Sequence, residues 1–562
     1  MPQYFSPGVY VEEVPSTIMP IAGVSTSTAC FIGMVPDTIE IPFENPSYDP
    51  TVLLPTAAPP YLTRVFPFRA LPPEKSTEGT AYAAYTNNID KLQKLAADPE
   101  HPIVPSPATL ALIDKDTGKK TGITDFLQTK NAIAVFRGTY PELADKGAAL
   151  KEFNDQSDLL NGKDGLADPA KPDHPSKTTR EDPGLLAQFQ AAKKIINKFK
   201  GLYPDMAAAG EPVLCTTFGD FQRSFGDFST DGIHLLPGGD LPGVGGMQNQ
   251  LAHAVFGFFN NGGTRCYVMR LKDIEELRNP LSLTPLEAID EISLVAAPGI
   301  VDQIVQDNIV THCENMSDRF AILDAPVLDD ESAPTKENIQ NNIGNTDYGA
   351  LYYPWIRVFD PVTQMMDPYG PGEVLCAPSG HIAGIYARTD HERGVFKAPA
   401  NEVVRGALDL DHQVTRNIQD GLNPHGINCI RNINDNITVW GARTIGGDAN
   451  ADLKYINVRR TLLFLRKSID HGTQWVVFEP NDRSLWAKIT RNITAFLTSV
   501  WRDGALFGST PEEAFYVTCN DQTNPPEDRD NGKVTTEIGV AIVRPAEFVV
   551  FHVQQWAGPS AQ

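Results

Sequence analysis

The chain has 562 residues, 41% hydrophobic and 21% charged, which gives it enough apolar surface for folded cores and excludes wholesale disorder. Seventy acidic residues against 47 basic ones leave a net charge of −23, which counts against nucleic acid or an anionic membrane bound over a broad face. At about 150 residues per domain, the length predicts three or four domains.

The first residues, MPQYFSPGVYVEEVPS, lack the basic and apolar regions of a signal peptide, and Glu12 and Glu13 argue against a transit peptide. Synthesis in the cytosol is the expectation. Pro7-Gly8 followed by Val9 and Val11 predicts a short extended arm. Ala29 to Gly33 reads as a short buried strand. Between Pro36 and Pro107 stand 14 prolines, a density that breaks helices and central strands. Residues 158 to 184 are polar and turn-rich, and Leu185 to Gly201 can form an amphipathic helix. Residues 38–210 therefore read as an inserted surface module with long loops; a disordered linker is the alternative.

Beyond residue 211 the pattern sharpens. Strands are predicted at Pro212 to Phe218, Arg265 to Leu271, Ile292 to Ala297 and Phe320 to Leu323. Helices are predicted at Leu251 to Phe259, after Thr284-Pro285, and where Val301, Ile304, Val305, Ile309 and His312 share one face. Alternation at this spacing predicts an α/β architecture. In the last third, Ser379 could cap a helix to about Asp390. Ile437 to Trp440 reads as a strand and Leu453 to Ile469 as a helix. Gln474 to Phe478 is expected as a strand, and Leu485 to Val500 as a long helix with Ile489, Ile493, Phe496 and Leu497 on its apolar face. Strands follow at Phe515 to Cys519, Ile538 to Val543 and Phe548 to Gln555.

No constellation for catalysis emerges. The glycine-rich PGGDLPGVGGMQNQ (237–250) fits neither GxGxxG nor GxxxxGK[ST] and reads as a loop before a helix. Asp448, Asn450 and Asp452 copy the start of a calcium loop, but Leu453 stands where glycine is needed and Arg459 where a bidentate Glu is needed. His391-Glu392 lacks the second zinc histidine, since Val395 occupies its place. Ser379-Gly-His381 lacks a nucleophile elbow, and His381 reads as a structural residue. Cys30, Cys215, Cys266, Cys313, Cys376, Cys429 and Cys519 include no CxxC and are expected as reduced, mostly buried thiols. We therefore assign no catalytic residue, no cofactor and no metal.

One charge feature stands out. Lys454, Arg459, Arg460, Arg466, Lys467, Arg483, Lys488, Arg491 and Arg502 are opposed between residues 453 and 502 only by Asp470, Glu479 and Asp482. Internal pairing with distant acids is one reading. A basic face that docks an acidic protein is the other.

Long co-linear stretches resemble the tail sheath proteins of contractile phage tails and phage-tail-like extracellular contractile injection systems. They are SGHIAGIYARTDHERGVFKAPANE (379–402), VWGARTI (439–445), YINVRRTLLFLRKSIDHGTQWVVFEPNDRSLW (455–486), WRDGALFG with TPEEAFYV (501–517) and IGVAIVRPAEFVVFHVQQ (538–555). SPGVYVEEVPS, ACFIGMVP, LAHAVFGFFNNGGTRCYVMRL (251–271) and DRFAILDAP (318–326) fit as well. The likeness covers roughly 1–36 and 212–557; residues 38–210 have no counterpart in it.

The resemblance implies a mixed α/β, multidomain tail-sheath fold and a structural protein rather than an enzyme. Its expected divisions are an N-terminal linker arm (1–20), a middle α/β domain (21–37 and 211–375), an outer insertion (38–210), an inner tube-facing domain (376–545) and a C-terminal arm (546–562). Subunits of this kind stack as hexameric rings around an inner tube and contract to drive it through a target envelope. Expected partners are other copies of the chain in a six-fold helical array, the inner tube protein, and baseplate and tail-terminator or cap proteins. Neither nucleic acid nor direct membrane insertion is expected. The product would be made in the bacterial cytoplasm and assembled into a phage tail or a released particle. Val9, Tyr10, Val11, Phe548, Val550, Phe551 and Val553 are the expected strand-exchange positions, and Lys488, Arg491, Arg483 and Arg502 the expected tube-facing ones. An accessory sheath paralogue at one end of the particle, and an α/β enzyme with an unrecognised site, are the alternatives.

Overall fold

In a computed structural model, the structure describes residues 21–37, 39–44, 61–65, 77–95, 121–161, 165–169, 171–229, 246–328, 332–340, 343–367, 370–550 and 552. The arm positions Val9, Tyr10, Val11, Phe551 and Val553 lie outside these residues, as does most of the glycine-rich stretch 237–250. The chain divides into two units, one of residues 1–35, 209–221 and 230–562, the other of 36–208 and 222–229.

The run ACFIGM has no alternating polar positions, the pattern of a strand covered on both faces. It forms β1 (Ala29–Met34) at the heart of the first unit's nine-stranded sheet. The other strands are β2 (Val213–Cys215), β3 (Cys266–Leu271), β4 (Leu294–Ala296), β5 (Phe320–Asp324), β6 (Gly349–Tyr353), β7 (Glu402–Val403), β8 (Ile427–Ile433) and β9 (Asn436–Val439). Their order is β7-β9-β8-β6-β5-β4-β1-β3-β2. The six strands from β8 to β3 run parallel, while β2, β9 and β7 pair antiparallel at the two margins. Three strands of this sheet follow residue 376, so it crosses the expected boundary between middle and inner domains.

One face of the sheet presents Cys30, Ile32, Met269 and Leu323 to helix α2 (Gln303–Met316), which returns Val305, Ile309 and Cys313. Ile304, expected on that face, is exposed; the buried stripe begins one residue later. Helix α1 (Met247–Asn260) packs beside β1, with the Phe31 and Phe258 rings 5.4 Å apart. It also packs closely on α3 (Ser379–Arg393): a side-chain carbon at Gly380 would lie 2.4 Å from the backbone of Ala254, so only glycine fits. Ser379 does not cap α3. Its hydroxyl instead donates to Asp324 Oδ2 at 2.7 Å, while its N–H donates to Oδ1 at 2.8 Å. β2 is shorter than predicted because Asp220 accepts from the N–H groups of Thr216 and Thr217 and turns the chain.

After the sheet come α4 (Ile456–Thr473) and α5 (Arg483–Arg502), which share an apolar cluster with the two-stranded antiparallel sheet of β10 (Phe515–Thr518) and β11 (Glu537–Val540). Gln474 to Phe478 is not the predicted strand. Gln474–Val476 form a 3-10 turn and Phe478 has φ +67. The β-branched and aromatic run favours a strand locally, but no ladder partner is present among the described residues, and propensity yields to context. Phe548 to Val550 are likewise not in a strand.

The second unit contains helices Thr77–Leu95, Thr121–Thr139, Pro141–Asn161, Lys177–Glu181 and Pro183–Leu202, with short hairpins at 40–65 and 167–175. It is thus far more helical than its proline count predicts. Pro73 and Pro99 bracket the first helix rather than interrupt it, and Pro141 and Pro183 occupy first-turn positions, where the missing N–H costs nothing. Tyr85 stacks on Phe136 at 4.3 Å and Phe153 on Phe199 at 4.7 Å.

Candidate functional site

The approach to β1 is fastened along α4. Ile21 is buried against Gly472, where an added side-chain carbon would come within 2.6 Å of it. The Val24 N–H donates to Ser468 Oγ at 3.2 Å. About two turns nearer the start of α4, the Arg460 guanidinium donates to both carboxylate oxygens of Asp390 on α3, at 2.9 and 2.6 Å. The same pair seizes Thr26: its hydroxyl donates to Asp390 Oδ2 at 2.6 Å, and Arg460 Nη2 donates to its carbonyl at 2.8 Å. Both side chains are buried, and Arg460 also lies over the Tyr386 ring at 4.7 Å. Burial opposes the charge on Arg460, but Asp390 outweighs it and holds the guanidinium above its ordinary value. A buried, bidentate, fully bonded pair of this kind fixes geometry firmly.

The exit of the chain is fastened to the start of the same helix. Glu547 accepts from Arg443 Nε and Nη2, from the Tyr455 hydroxyl and from Asn423 Nδ2, each at 2.8 Å. Burial pushes its carboxyl up, but these bonds overcome that and hold it below the usual glutamate range. Asn457 Nδ2 reaches the Val543 carbonyl at 3.2 Å. Immediately beyond the clamp, Phe548, Val549 and Val550 are 73, 67 and 72% exposed. Among the described residues, such a run of consecutive solvent-facing apolar side chains is left uncovered. Nearby in sequence, the β10–β11 sheet has two strands among the described residues, with a further bridge from Leu506 to Ile542. Two-stranded sheets are marginal alone and offer unpaired edges.

Helix α5 carries the third feature. Asp482 caps it by accepting from the Leu485 N–H at 2.8 Å. Leu485, Ile489, Ile493, Phe496, Leu497 and Val500 are buried, as the sequence periodicity predicts, and so is Trp486. The exposed face holds Ser484, Lys488, Arg491, Ala495, Ser499 and Arg502, and the helix contains no acidic residue. Lys488, Arg491 and Arg502 are spaced by three and eleven residues and so line one face. Arg483 stands off that face and pairs with Asp521 at 2.8 Å.

The basic stretch is therefore divided. Lys454 pairs with Asp448, Arg459 with Asp347, Arg460 with Asp390 and Lys467 with Asp318. Among the described residues, Arg466, Lys488, Arg491 and Arg502 have no acidic partner. Asp448 is spoken for by Arg443 and Lys454, which suits a turn and not a calcium loop. His381 is fully buried, and burial pushes its ring down to about 3, a neutral structural residue. Among the described residues, no group of three His, Cys, Asp or Glu side chains is arranged to hold a metal ion.

Sequence reasoning missed Asp390, Glu547 and Arg443 as clamps. Glu547 left one trace, a lone carboxylate inside the apolar stretch 538–553. Asp390 and Arg460 lie 70 residues apart and left none.

Residues 279–445 match the family model of the phage tail sheath protein central domain, and residues 448–555 that of the phage tail sheath C-terminal domain. A protein of Pseudomonas aeruginosa (strain UCBPP-PA14) described as a prophage major tail sheath protein is 26% identical over 278 residues, 47% of this chain and 65% of that one. The chain spans less than two thirds of the curated relatives it matches, 65, 43 and 25% of their lengths. Among solved structures, the sheath complex of the extracellular contractile injection system PVC in its contracted state is similar at 27% identity and a TM-score of 0.52, covering 62% of this chain and 88% of that one. A chain of the 6-fold symmetrised anti-feeding prophage baseplate is similar at 31% identity and a TM-score of 0.50, with the same coverage.

Proposed function

The chain belongs to the phage tail sheath family, and from that premise we propose that it polymerises as stacked hexameric rings around an inner tube and contracts to drive the tube through a target envelope. The observation that carries this reading is the chain's exit: three consecutive exposed apolar residues, Phe548 to Val550, leave from a root that Glu547 holds rigidly. An extended apolar tail on a fixed root is suited to adding a strand to another copy's sheet, and β10–β11 is a sheet short of strands. The N-terminal arm, rooted at Thr26 and Ile21, would add from the other end. Backbone ladders of this kind keep subunits linked while contacts between their bodies exchange.

The acid-free face of α5 supports an inner tube with an acidic outer surface as the partner of Lys488, Arg491 and Arg502. The second unit would then form an outer decoration, and baseplate and terminator proteins would meet the two ends of the array. The particle would assemble in the bacterial cytoplasm as a phage tail or a releasable injector. The work of contraction would come from the difference between two packings of the same subunits, a few kcal/mol each summed along the array.

Electron microscopy of the purified full-length chain, alone and with its tube protein, tests the reading beside versions lacking residues 1–14 or 548–562. Six-fold helical tubes from the full-length chain and not from the shortened ones are expected. Monodisperse particles from the full-length chain in the presence of the tube protein would remove the proposal.

A further inference from the structure

We propose that Cys215 and Cys266 form a dithiol pair that closes to a disulfide, tying the margin strand β2 to β3 when the protein meets a small-molecule disulfide outside the reducing cytosol. The inference stands on the sheet itself and goes beyond the sheath reading.

All seven cysteines are described, and none is in a disulfide. Cys215 and Cys266 are the one pair among them placed directly opposite each other in a ladder. Directly opposed residues on antiparallel strands have side chains on the same face and Cα atoms about 4.5 or 5.5 Å apart, depending on whether the pair is hydrogen-bonded. Both spacings lie inside the roughly 4.4–6.8 Å range of disulfides. The nearest competitor is excluded by register. Ala29, not Cys30, aligns with Cys266 in the parallel pairing of β1 with β3. Cys30 therefore points to the opposite face, where it packs with Ile32 and Met269 against α2.

The position also sets the conditions for closure. Both sulfurs are fully buried, and burial, with the neighbouring Cys215, Cys30 and Asp220, pushes the Cys266 thiol well up. Buried thiols of this kind are inert while the strand is seated. But β2 has three residues, lies at one margin of the sheet and, among the described residues, pairs on one side only, so it opens at less cost than the strands paired on both sides. When it opens, one cysteine thiolate attacks the small disulfide, forming a mixed disulfide and releasing one small thiol. The second cysteine thiolate then attacks the protein sulfur and expels the other small thiol. The protein loses two hydrogens and the small disulfide is reduced to two thiols. The bond closes a loop that spans residues 215–266 and fastens the strand by which the chain returns from its second unit.

The test exposes the reduced full-length protein to excess oxidised glutathione, in buffer and in urea below its unfolding transition, then alkylates and digests it with trypsin without reduction. The expected product joins the peptide 201–223 to the peptide 266–270, with two of the seven thiols lost and closure faster in urea. Cys266→Ser should abolish both the cross-link and any rise in thermal midpoint on oxidation. Seven free thiols under both conditions overturn the proposal, and so does a cross-link from Cys266 to Cys30. The thiol count on the unaltered protein decides the matter even where a serine variant folds poorly.

Discussion

Glu547 receives Arg443 through two parallel N–H bonds of 2.8 Å, and the pair spans 104 residues of chain. Glu547→Ala should leave the buried guanidinium without its main partner, at a cost of about 3–5 kcal/mol. Urea unfolding followed by tryptophan fluorescence reads it. Because Glu547 is held below the ordinary glutamate range, its stabilisation is complete above that range and fades only as pH falls through the lowered value. A variant as stable as the parent at pH 7 would show that the clamp bears no weight.

At the other root, Gly472→Ala should push Ile21 off α4, because the new carbon would sit 2.6 Å from it. Overpacking of this kind costs about 1–3 kcal/mol. Limited proteolysis should then cut ahead of Ala29 in the variant and spare the parent. Ile21→Ala in the same chain should recover part of the lost stability. Identical digestion patterns would end the argument.

Asp324 sits at the carboxyl end of β5 and accepts from Ser379 twice and from the Gly299 N–H. Burial pushes it up to about 6, against the lowering effect of those bonds. A carboxyl raised in the folded state contributes stability that is full below its unfolded value and is lost as pH rises through the folded one. Asp324→Asn should therefore flatten stability between pH 4 and pH 6, where the parent loses roughly 2–3 kcal/mol from this group. Parallel curves for the two proteins would contradict this.

Lys488→Glu with Arg491→Glu should leave the melting temperature within about a degree, since surface substitutions typically change stability by less than 0.5 kcal/mol. Assembly on the tube should nevertheless be lost, and raised salt should weaken it in the parent. Cosedimentation with the tube protein reads both. Normal templated assembly of the double variant would move the tube contact away from α5.

Heat or mild denaturant should contract assembled sheaths in buffer free of nucleotide, seen as shorter and wider tubes in micrographs. A strict need for ATP would overturn the account of stored packing energy.

What could be read from the residues alone follows the reach of each signal. The apolar stripe of α5 and the unbroken run of β1 are local patterns, and both elements lie within two residues of expectation. Gln474 to Phe478 carries an equally local strand signal, yet no ladder partner meets it among the described residues. The helix Thr121–Thr139 spreads its apolar residues around its circumference and leaves Leu127 and Val135 exposed, so no periodicity marks it. The clamps were illegible for a different reason. Asp390 with Arg460, and Arg443 with Glu547, meet only because the sheet and α4 bring distant segments together.

Strand β1 is translated among the first residues and gains its neighbours only from the middle of the chain. Ala29 aligns with Cys266 on one side and Leu294 on the other. At about 5–20 residues per second of synthesis, roughly 10–50 s pass between its appearance and that of its first partner. The sheet's far strands, beginning at Ile427 and Asn436, come later still. A nascent chain thus has no finished sheet to offer a neighbour until residue 439 has been made.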